Sequence, residues 1–184
     1  MAERLRLFVA LELPAVAREA LAAFRDAVDP VVWRPVRDEA LHVTLAFLGA
    51  RGAQDVAVVS DVLARCAGAA PSLTLGGALL LPPRRRARVL CAEVADPSGE
   101  LGALQARVAA ALVEAGVYAA EQRPFRAHAT VARLRPGARP PREPPSAGPA
   151  AVAFRGEWLT LFHSRPARGG SGYEPLARVP LERP

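Results

Sequence analysis

Two His-x-Thr motifs, one beginning at His42 and one at His128, carry the residue types best suited to acid–base chemistry. Residues two positions apart in a strand share a face, so Thr44 projects with the first histidine and Thr130 with the second. A neutral imidazole can take a proton from attacking water, while a protonated one gives a proton to a departing alkoxide. Threonine hydroxyls can donate hydrogen bonds to the non-bridging oxygens of a phosphate. The four side chains therefore predict a site that cleaves phosphodiesters.

The two motifs lie in segments that match each other without a gap. Residues 41–48 and 127–134 are both apolar, both have the character of strands, and lie about half the chain apart. A single His-x-Thr pattern is common by chance, but here two of only three histidines occupy equivalent positions. A predicted strand and helix precede each motif. This order indicates an ancient duplication, with two lobes related by a pseudo-twofold axis that brings both motifs to one cleft.

Hydrophobic periodicity and turn residues predict the elements that hold these motifs. We predict strands over residues 5–11, 41–48, 72–81, 88–94, 127–134, 151–154, 157–162 and 173–179, with a short extended piece at 31–33. We predict helices from Pro14 to just before Pro30, over residues 55–67, and from an N-cap at Ser98 to about Ala115, with Gly116 past the end. The interleaved strands and helices indicate an α/β or α+β protein.

The first helix presents a predicted apolar stripe of Val16, Ala20, Leu21 and Phe24. Residues 135–149 are rich in proline, glycine and arginine and have no periodicity, which predicts a loop. Gly169–Gly172 is expected to be a flexible turn between the last two strands.

The chain has 184 residues, 51% of them hydrophobic, which suits one compact unit. We expect a single bilobal domain over residues 1–184, with approximate halves 1–90 and 91–184 that share strands. Cys66 and Cys91 lie in apolar stretches without metal-ligand spacing, which indicates buried reduced thiols and a cytoplasmic protein. No apolar run reaches the ~18 residues of a membrane span, so we expect no membrane partner. We expect a monomer.

The net charge of +6 favours a polyanionic partner. All 24 basic residues are arginine, and lysine, isoleucine and asparagine are absent, a bias typical of GC-rich codon usage. The charge therefore raises the expectation of nucleic acid or nucleotide phosphate only modestly. Arg84, Arg85, Arg86 and Arg88 cluster in a predicted turn, which would either steer RNA toward the cleft or simply be solvated.

Five segments carry a resemblance that extends over nearly the whole chain: Arg6–Pro14, Leu41–Gly49, Arg88–Val94, Phe125–Arg133 and Ser164–Leu176. They are similar to the two-histidine phosphoesterase superfamily, and within it to the RNA 2',3'-cyclic phosphodiesterases, also called 2'-5' RNA ligases. Two positions depart from that pattern. Ala127 stands where members often have proline before the second histidine, and Cys91 where the middle strand often has an aromatic residue. Neither departure touches the His-x-Thr pairs, so they bear on substrate preference.

The resemblance implies an α+β fold in which antiparallel sheets line a central cleft and helices pack outside. It also implies hydrolysis of a ribose 2',3'-cyclic phosphate at an RNA end to a 2'-phosphomonoester, with no metal and no cofactor. The same site run in reverse, with a 5'-hydroxyl in place of water, would form a 2'-5' linkage. By analogy with related enzymes, we assign His42 as the acid and His128 as the base, with Thr44 and Thr130 binding the phosphate.

Further candidates flank the motifs. Phe47 and Arg133 each follow a motif histidine by five positions, and the predicted axis would set them facing each other, where ring and guanidinium could sandwich a nucleobase. Strand parity opposes this, because positions i and i+5 face opposite sides unless a bulge intervenes. The alternative places Phe47 in the core and Arg133 on the surface.

Arg126 could orient the phosphate, although it alternates out of phase with His128. We predict that His163 is a surface residue.

Three other functions stay open at this point. The cleft could take a small nucleotide, such as a 2'-5' oligoadenylate or an ADP-ribose cyclic phosphate, because cleft shape decides that choice. The chain could bind RNA ends without catalysis, although neither motif has lost its histidine or threonine. A metal site built on the three histidines is disfavoured, because zinc needs closely arranged nitrogen and sulfur ligands, and the motifs have only carboxylates such as Glu39 and Glu121 near them in sequence.

Overall fold

The structure is a computed structural model that describes residues 4–83, 86–167 and 170–183. The strands are β1 (Arg4–Glu12), β2 (Trp33–Pro35), β3 (His42–Gly52), β4 (Ser72–Leu81), β5 (Val89–Ala95), β6 (His128–Leu134), β7 (Ala153–Arg155), β8 (Trp158–Ala167) and β9 (Gly170–Pro180). The helices are α1 (Ala15–Asp26), α2 (Asp55–Cys66) and α3 (Glu100–Glu114), and a short 3-10 turn covers Asp38–Ala40. The predicted α+β class is confirmed.

The strands form one antiparallel sheet in the order β7-β4-β5-β6-β3-β1-β8-β9, and β2 pairs with β6 beside that path. The two strands that carry the His-x-Thr motifs are neighbours at its centre. They meet at a single residue pair, Val43 with Ala129, and then diverge. The sheet is therefore continuous, but only one residue pair joins its two halves at the centre.

The strand order retains the predicted duplication. A strand, a helix and a motif strand follow one another as β1-α1-β3 and again as β5-α3-β6, and the two strands of each set pair with each other. Residue 90, the approximate boundary between the predicted halves, lies inside β5. β4 from the first half pairs with β5, whereas β8 from the second half pairs with β1. A cut at this boundary would therefore not separate the two sides of the sheet.

The helices bury apolar stripes against the sheet. In α1 the buried residues are Ala17, Leu21 and Phe24, at the i, i+4, i+7 spacing of one helical face. Val16, which we expected in this stripe, is 51% exposed, because it lies about 100° around the helix from Ala17.

The ends of α3 are set by glycines. Gly99 is the N-cap instead of the predicted Ser98, and the helix begins at Glu100. Gly116 has a φ of +71° and ends the helix as predicted. The amide of Val117 donates to the Leu112 carbonyl at 3.1 Å, which forms the 6→1 bond of a Schellman motif.

The hairpin of β8 and β9 is longer than the sequence predicts. Its ladder runs from Trp158 paired with Pro180 to Ala167 paired with Gly170. Gly170–Gly172, expected in a flexible turn, are therefore strand residues, and Gly169 lies outside the described residues. The loop predicted over residues 135–149 contains no helix or strand.

Both cysteines are buried and unpaired, as predicted. None of the helices in the described ranges is long and apolar enough to cross a membrane.

Candidate active site

Both His-x-Thr motifs line one cavity of about 800 Å³ on one face of the sheet. The central pair of Val43 and Ala129 is completely buried and points to the other face. Antiparallel pairing around it sets His42 across from Thr130, and Thr44 across from His128. Each histidine therefore has one threonine on its own strand and another on the neighbouring strand. We call these four side chains the central quartet.

A bulge follows each motif at the equivalent position. In the pairing of β1 with β3, Leu45 has no partner, and in the pairing of β5 with β6 the same is true of Val131. One extra residue reverses the alternation of side chains, so position i+5 returns to the face of position i. Phe47 and Arg133 consequently line the cavity, and Phe47 is 64% exposed. The alternative of a core Phe47 is wrong, and the parity objection does not apply.

Phe47 and Arg133 nevertheless lie on opposite sides of the central pair. β3 and β6 are antiparallel, so one strand leaves this pair toward Phe47 and the other leaves it in the opposite direction toward Arg133. The positive charge of Arg133 lowers the pKa of His42, consistent with a position on the His42 side. A ligand that touches both residues must span the central quartet, which differs from the predicted face-to-face sandwich.

His128 is held in one orientation by its neighbouring backbone. Its Nδ1 lies 2.7 Å from the carbonyl oxygen of Arg126, so Nδ1 carries the proton and donates it to this bond. Nε2 of the neutral ring is then free to accept a proton from a ligand or water. The side chain of Arg126 pairs with Glu93 at 2.9 Å and does not line the cavity. Arg126 therefore acts through its carbonyl, and the geometry gives its guanidinium no role at a phosphate there.

His42 is in a different environment, packed among aromatic rings. Its imidazole stacks on Phe8 and Phe162, with ring centroids 5.1 Å and 5.7 Å away, and Tyr173 meets it edge-on at 5.5 Å. Its Nδ1 is buried and makes no close hydrogen bond among the described residues, although the backbone of Glu39 acts on the ring in the sense of a weak hydrogen bond and raises its pKa. Burial, assisted by the charge of Arg133, lowers the pKa of His42 to about 4. The ring is therefore neutral at pH 7.

This aromatic cluster was missed by the sequence reasoning. Phe8, Phe162 and Tyr173 come from β1, β8 and β9, and Phe8 contacts both of the others at about 5 Å. The ladder of β1 with β8 sets Phe8 directly beside Phe162. Phe8 lies two positions after Arg6 on β1, so the sequence indicates that the two side chains share a face. No local feature of the sequence places the distant strands β8 and β9 beside Phe8.

Among the described residues, the cavity is lined by three arginines and by no carboxylate. Arg6 comes from β1, Arg34 from β2 and Arg133 from β6, and none of the three has a hydrogen bond or ion pair among the described residues. Ser164 and Ser171 add hydroxyl groups at the rim. A cavity with positive charge and many hydroxyl donors favours an anionic ligand.

Cys91 lies beside the quartet but is not suited to nucleophilic chemistry. Its sulfur is 3.6 Å from the Thr130 hydroxyl, the residue it pairs with across β5 and β6. Burial raises the pKa of its thiol to about 11, so the thiolate is scarce near neutral pH.

His163 is buried, which contradicts its predicted place at the surface. It is 8% exposed and lies on β8, between β1 and β9 in the sheet. Its Nδ1 accepts a hydrogen bond from Arg165 at 3.2 Å, and Arg165 in turn pairs with Glu174 at 2.6 Å. It does not line the cavity.

Arg86 and Arg88 of the predicted basic turn are exposed and do not line the cavity, and Arg84 and Arg85 lie outside the described residues. Across the described part of the chain, no group of three histidine, cysteine, aspartate or glutamate side chains is placed to hold a metal ion.

Comparisons with known proteins agree with this architecture. The sequence model of the family described as LigT like Phosphoesterase matches residues 11–91, which include the first motif and end before the second. The RNA 2',3'-cyclic phosphodiesterase of Escherichia coli K12 is 32% identical over 182 residues, covering 98% of this chain and 99% of the relative. The crystal structure of E. coli LigT complexed with 3'-AMP has a TM-score of 0.78 at 30% identity, covering 97% of this chain and 99% of that chain. A crystal structure from Thermus thermophilus has a TM-score of 0.81 at 29% identity, with 96% and 97% covered.

Proposed function

The chain belongs to the LigT-like phosphoesterase family, and from this premise we propose that it hydrolyses 2',3'-cyclic phosphate ends of RNA to 2'-phosphomonoesters. One observation carries the proposal: two His–Thr pairs meet in a single cavity whose described lining includes three arginines and no carboxylate. The E. coli relative, which is named for this activity, supports the choice of substrate.

In the proposed reaction, a water oxygen attacks phosphorus and the bond from phosphorus to the 3' oxygen breaks. Nε2 of His128 takes the proton from the water, and His42 gives a proton to the departing 3' oxygen. The product carries a 2'-phosphate and a 3'-hydroxyl. The bond from His128 Nδ1 to the Arg126 carbonyl supports the base assignment, because it fixes the ring and directs Nε2, rather than Nδ1, at the water. A positioned acid or base typically contributes roughly 10²–10⁴-fold to the rate.

The acid assignment for His42 requires that substrate binding changes its protonation. The pKa of His42 is about 4, so the ring has no proton to donate at pH 7. A bound phosphodiester anion favours the imidazolium form and raises this pKa. The faces of Phe8 and Phe162 can also stabilise the cation once it has formed. We therefore propose that His42 becomes an acid only in the complex with an anionic substrate.

The threonines would hold the phosphate between the two histidines. Thr44 and Thr130 lie on opposite strands, so their hydroxyls can each donate to a different non-bridging oxygen. Phe47, exposed at the rim, offers a face on which the terminal base can stack.

The same groups would serve the reverse reaction. With a 5'-hydroxyl in the position of the attacking water, His128 activates that hydroxyl and the product is a 2'-5' linkage. No metal is needed for either direction, because the two imidazoles already supply the acid and the base. This leaves the reaction insensitive to chelators.

The size of the cavity supports a second candidate substrate. A volume of about 800 Å³ falls within the range typical of sites for small ligands, roughly 300–1,000 Å³. A small nucleotide such as a 2'-5' oligoadenylate or an ADP-ribose cyclic phosphate would therefore also fit. The ratio of kcat/KM between these compounds and an RNA oligonucleotide decides between the two substrates.

The deciding experiment is incubation with an RNA oligonucleotide that ends in a 2',3'-cyclic phosphate, followed by identification of the product end. We expect a 2'-phosphate, and no product from His42→Ala or His128→Ala. His163→Gln serves as the matched control, because it replaces the remaining histidine outside the cavity. A 3'-phosphate product, or turnover retained in both cavity variants, would contradict the mechanism. Circular dichroism checks that each variant is folded.

A further inference from the structure

Two arginines lie side by side on the wall of the cavity. Arg34 of β2 and Arg133 of β6 are direct partners in the antiparallel pairing of those strands, and both side chains line the cavity. Neither forms a hydrogen bond or ion pair with any residue in the described ranges. Like charges placed directly opposite each other destabilise a strand pair. Such a pair becomes favourable when an anion lies between the two guanidinium groups.

The backbone holds Arg34 firmly in this position. Trp33, the residue before it, is only 3% exposed and anchors β2 in the core. The amide of Val36 donates to the Val131 carbonyl at 2.9 Å, and the amide of Arg135 donates to the Val32 carbonyl at 3.0 Å. Both ends of β2 are therefore fixed against the strand that carries His128, so the arginine pair is preorganised.

The pair lies beside the central quartet at a defined spacing. Between Thr130 and Arg133 the partner strand advances only two residues, from Cys91 to Val89, because of the bulge at Val131. Two residues of strand correspond to roughly 7 Å. This is comparable to the separation of successive phosphates along an extended single strand.

We propose that Arg34 and Arg133 form a second phosphate-binding site, which takes the phosphate on the 5' oxygen of the terminal nucleotide. This inference rests on the proposed function, since it places the cyclic phosphate in the central quartet. The terminal base then lies toward Phe47, on the other side of the quartet. The enzyme therefore selects ends that carry an upstream phosphate over bare nucleoside cyclic phosphates.

The kinetic test compares three substrates: adenosine 2',3'-cyclic phosphate, its 5'-phosphorylated form, and an adenosine dinucleotide ending in the cyclic phosphate. We expect the 5'-phosphate to raise kcat/KM about tenfold or more, mainly through KM, as charge-assisted bonds to a phosphate would. We expect the same gain with the dinucleotide, and a dinucleotide turned over no better than the bare nucleoside cyclic phosphate would overturn the inference.

The variants assign this gain to the arginine pair. In Arg34→Gln the ratio between the phosphorylated and unphosphorylated substrates should fall to about one, and Arg34→Lys should keep part of it. Arg18→Gln removes the same charge from the exposed side of α1, outside the cavity, and should keep the wild-type ratio. An equal ratio in wild type, or a gain that survives in Arg34→Gln, overturns the inference.

A binding measurement separates this inference from the proposed chemistry. Calorimetry compares adenosine 2'-monophosphate with adenosine 2',5'-bisphosphate, neither of which needs to be turned over. We expect the bisphosphate to bind about tenfold more tightly to wild type, and the difference to vanish in Arg34→Gln. If no cyclic phosphate is hydrolysed but this difference persists, the proposed function fails and the second site stands. If cyclic phosphates are hydrolysed and both ligands bind equally well, the proposed function stands and the second phosphate site is overturned.

Discussion

The protonation of His42 should be coupled to the binding of a phosphodiester anion. With a pKa of about 4, protonating the ring at pH 7 costs three pKa units, or about 4 kcal/mol. A single negative charge about 4 Å from the ring supplies about 4 kcal/mol at an effective dielectric constant near 20. The bound anion should therefore raise the pKa of His42 to near 7. By reciprocity, the affinity for the anion should rise as the pH falls from 7 toward 4, where the free ring takes up its proton.

The assay is an NMR titration of the histidine rings from pH 3 to 9, alone and with adenosine 2'-(methyl phosphate), whose single charge is constant over most of that range. His42→Gln assigns the signal. Arg133→Gln serves as a second check, because removing this charge should raise the pKa of free His42. A His42 that titrates near 6.5 in the free protein would refute the burial argument. One that stays near 4 in the complex could not act as the acid.

Other measurements test the remaining roles. On a nitrophenyl phosphodiester, whose leaving group needs no proton, His42→Ala should recover most of its lost rate relative to wild type, whereas His128→Ala should not. If His128→Ala is the variant that recovers, the two roles are exchanged. Thr44→Ala and Thr130→Ala should lose a similar factor on activated and natural substrates, roughly 10²-fold each, and unequal losses would argue against bonds to non-bridging oxygens. Turnover should persist in excess EDTA, and a loss restored by Zn²⁺ or Mn²⁺ would indicate a metal site. Phe47→Ala should raise KM for RNA ends more than it lowers kcat, equivalent to about 1–3 kcal/mol of lost base stacking, and a change confined to kcat would contradict the stacking role.

Local features of the sequence were sufficient to predict most elements and the two motifs. Short apolar runs predicted β3 and β6, and Gly116 predicted the end of α3, because strand propensity and helix termination depend on only a few neighbouring residues. The matched His42 and His128 stood out for the same reason, since their threonines lie two positions away on the same face. The repeated order of elements further predicted that both motifs belong to one cleft.

The environments of the two histidines depended on pairing between distant strands. The bulges at Leu45 and Val131, which turn Phe47 and Arg133 into the cavity, exist only in relation to β1 and β5. No residue near His42 in sequence predicts the aromatic rings that surround it, because those rings come from other strands that are distant from it in sequence. Arg34 likewise meets Arg133 only because β2 pairs with β6. The order of residues along the chain was enough to identify the groups that can serve as acid, base and phosphate ligands. The burial of His42 and the orientation of the His128 ring come from the tertiary fold, because solvation and cross-strand contacts depend on long-range packing.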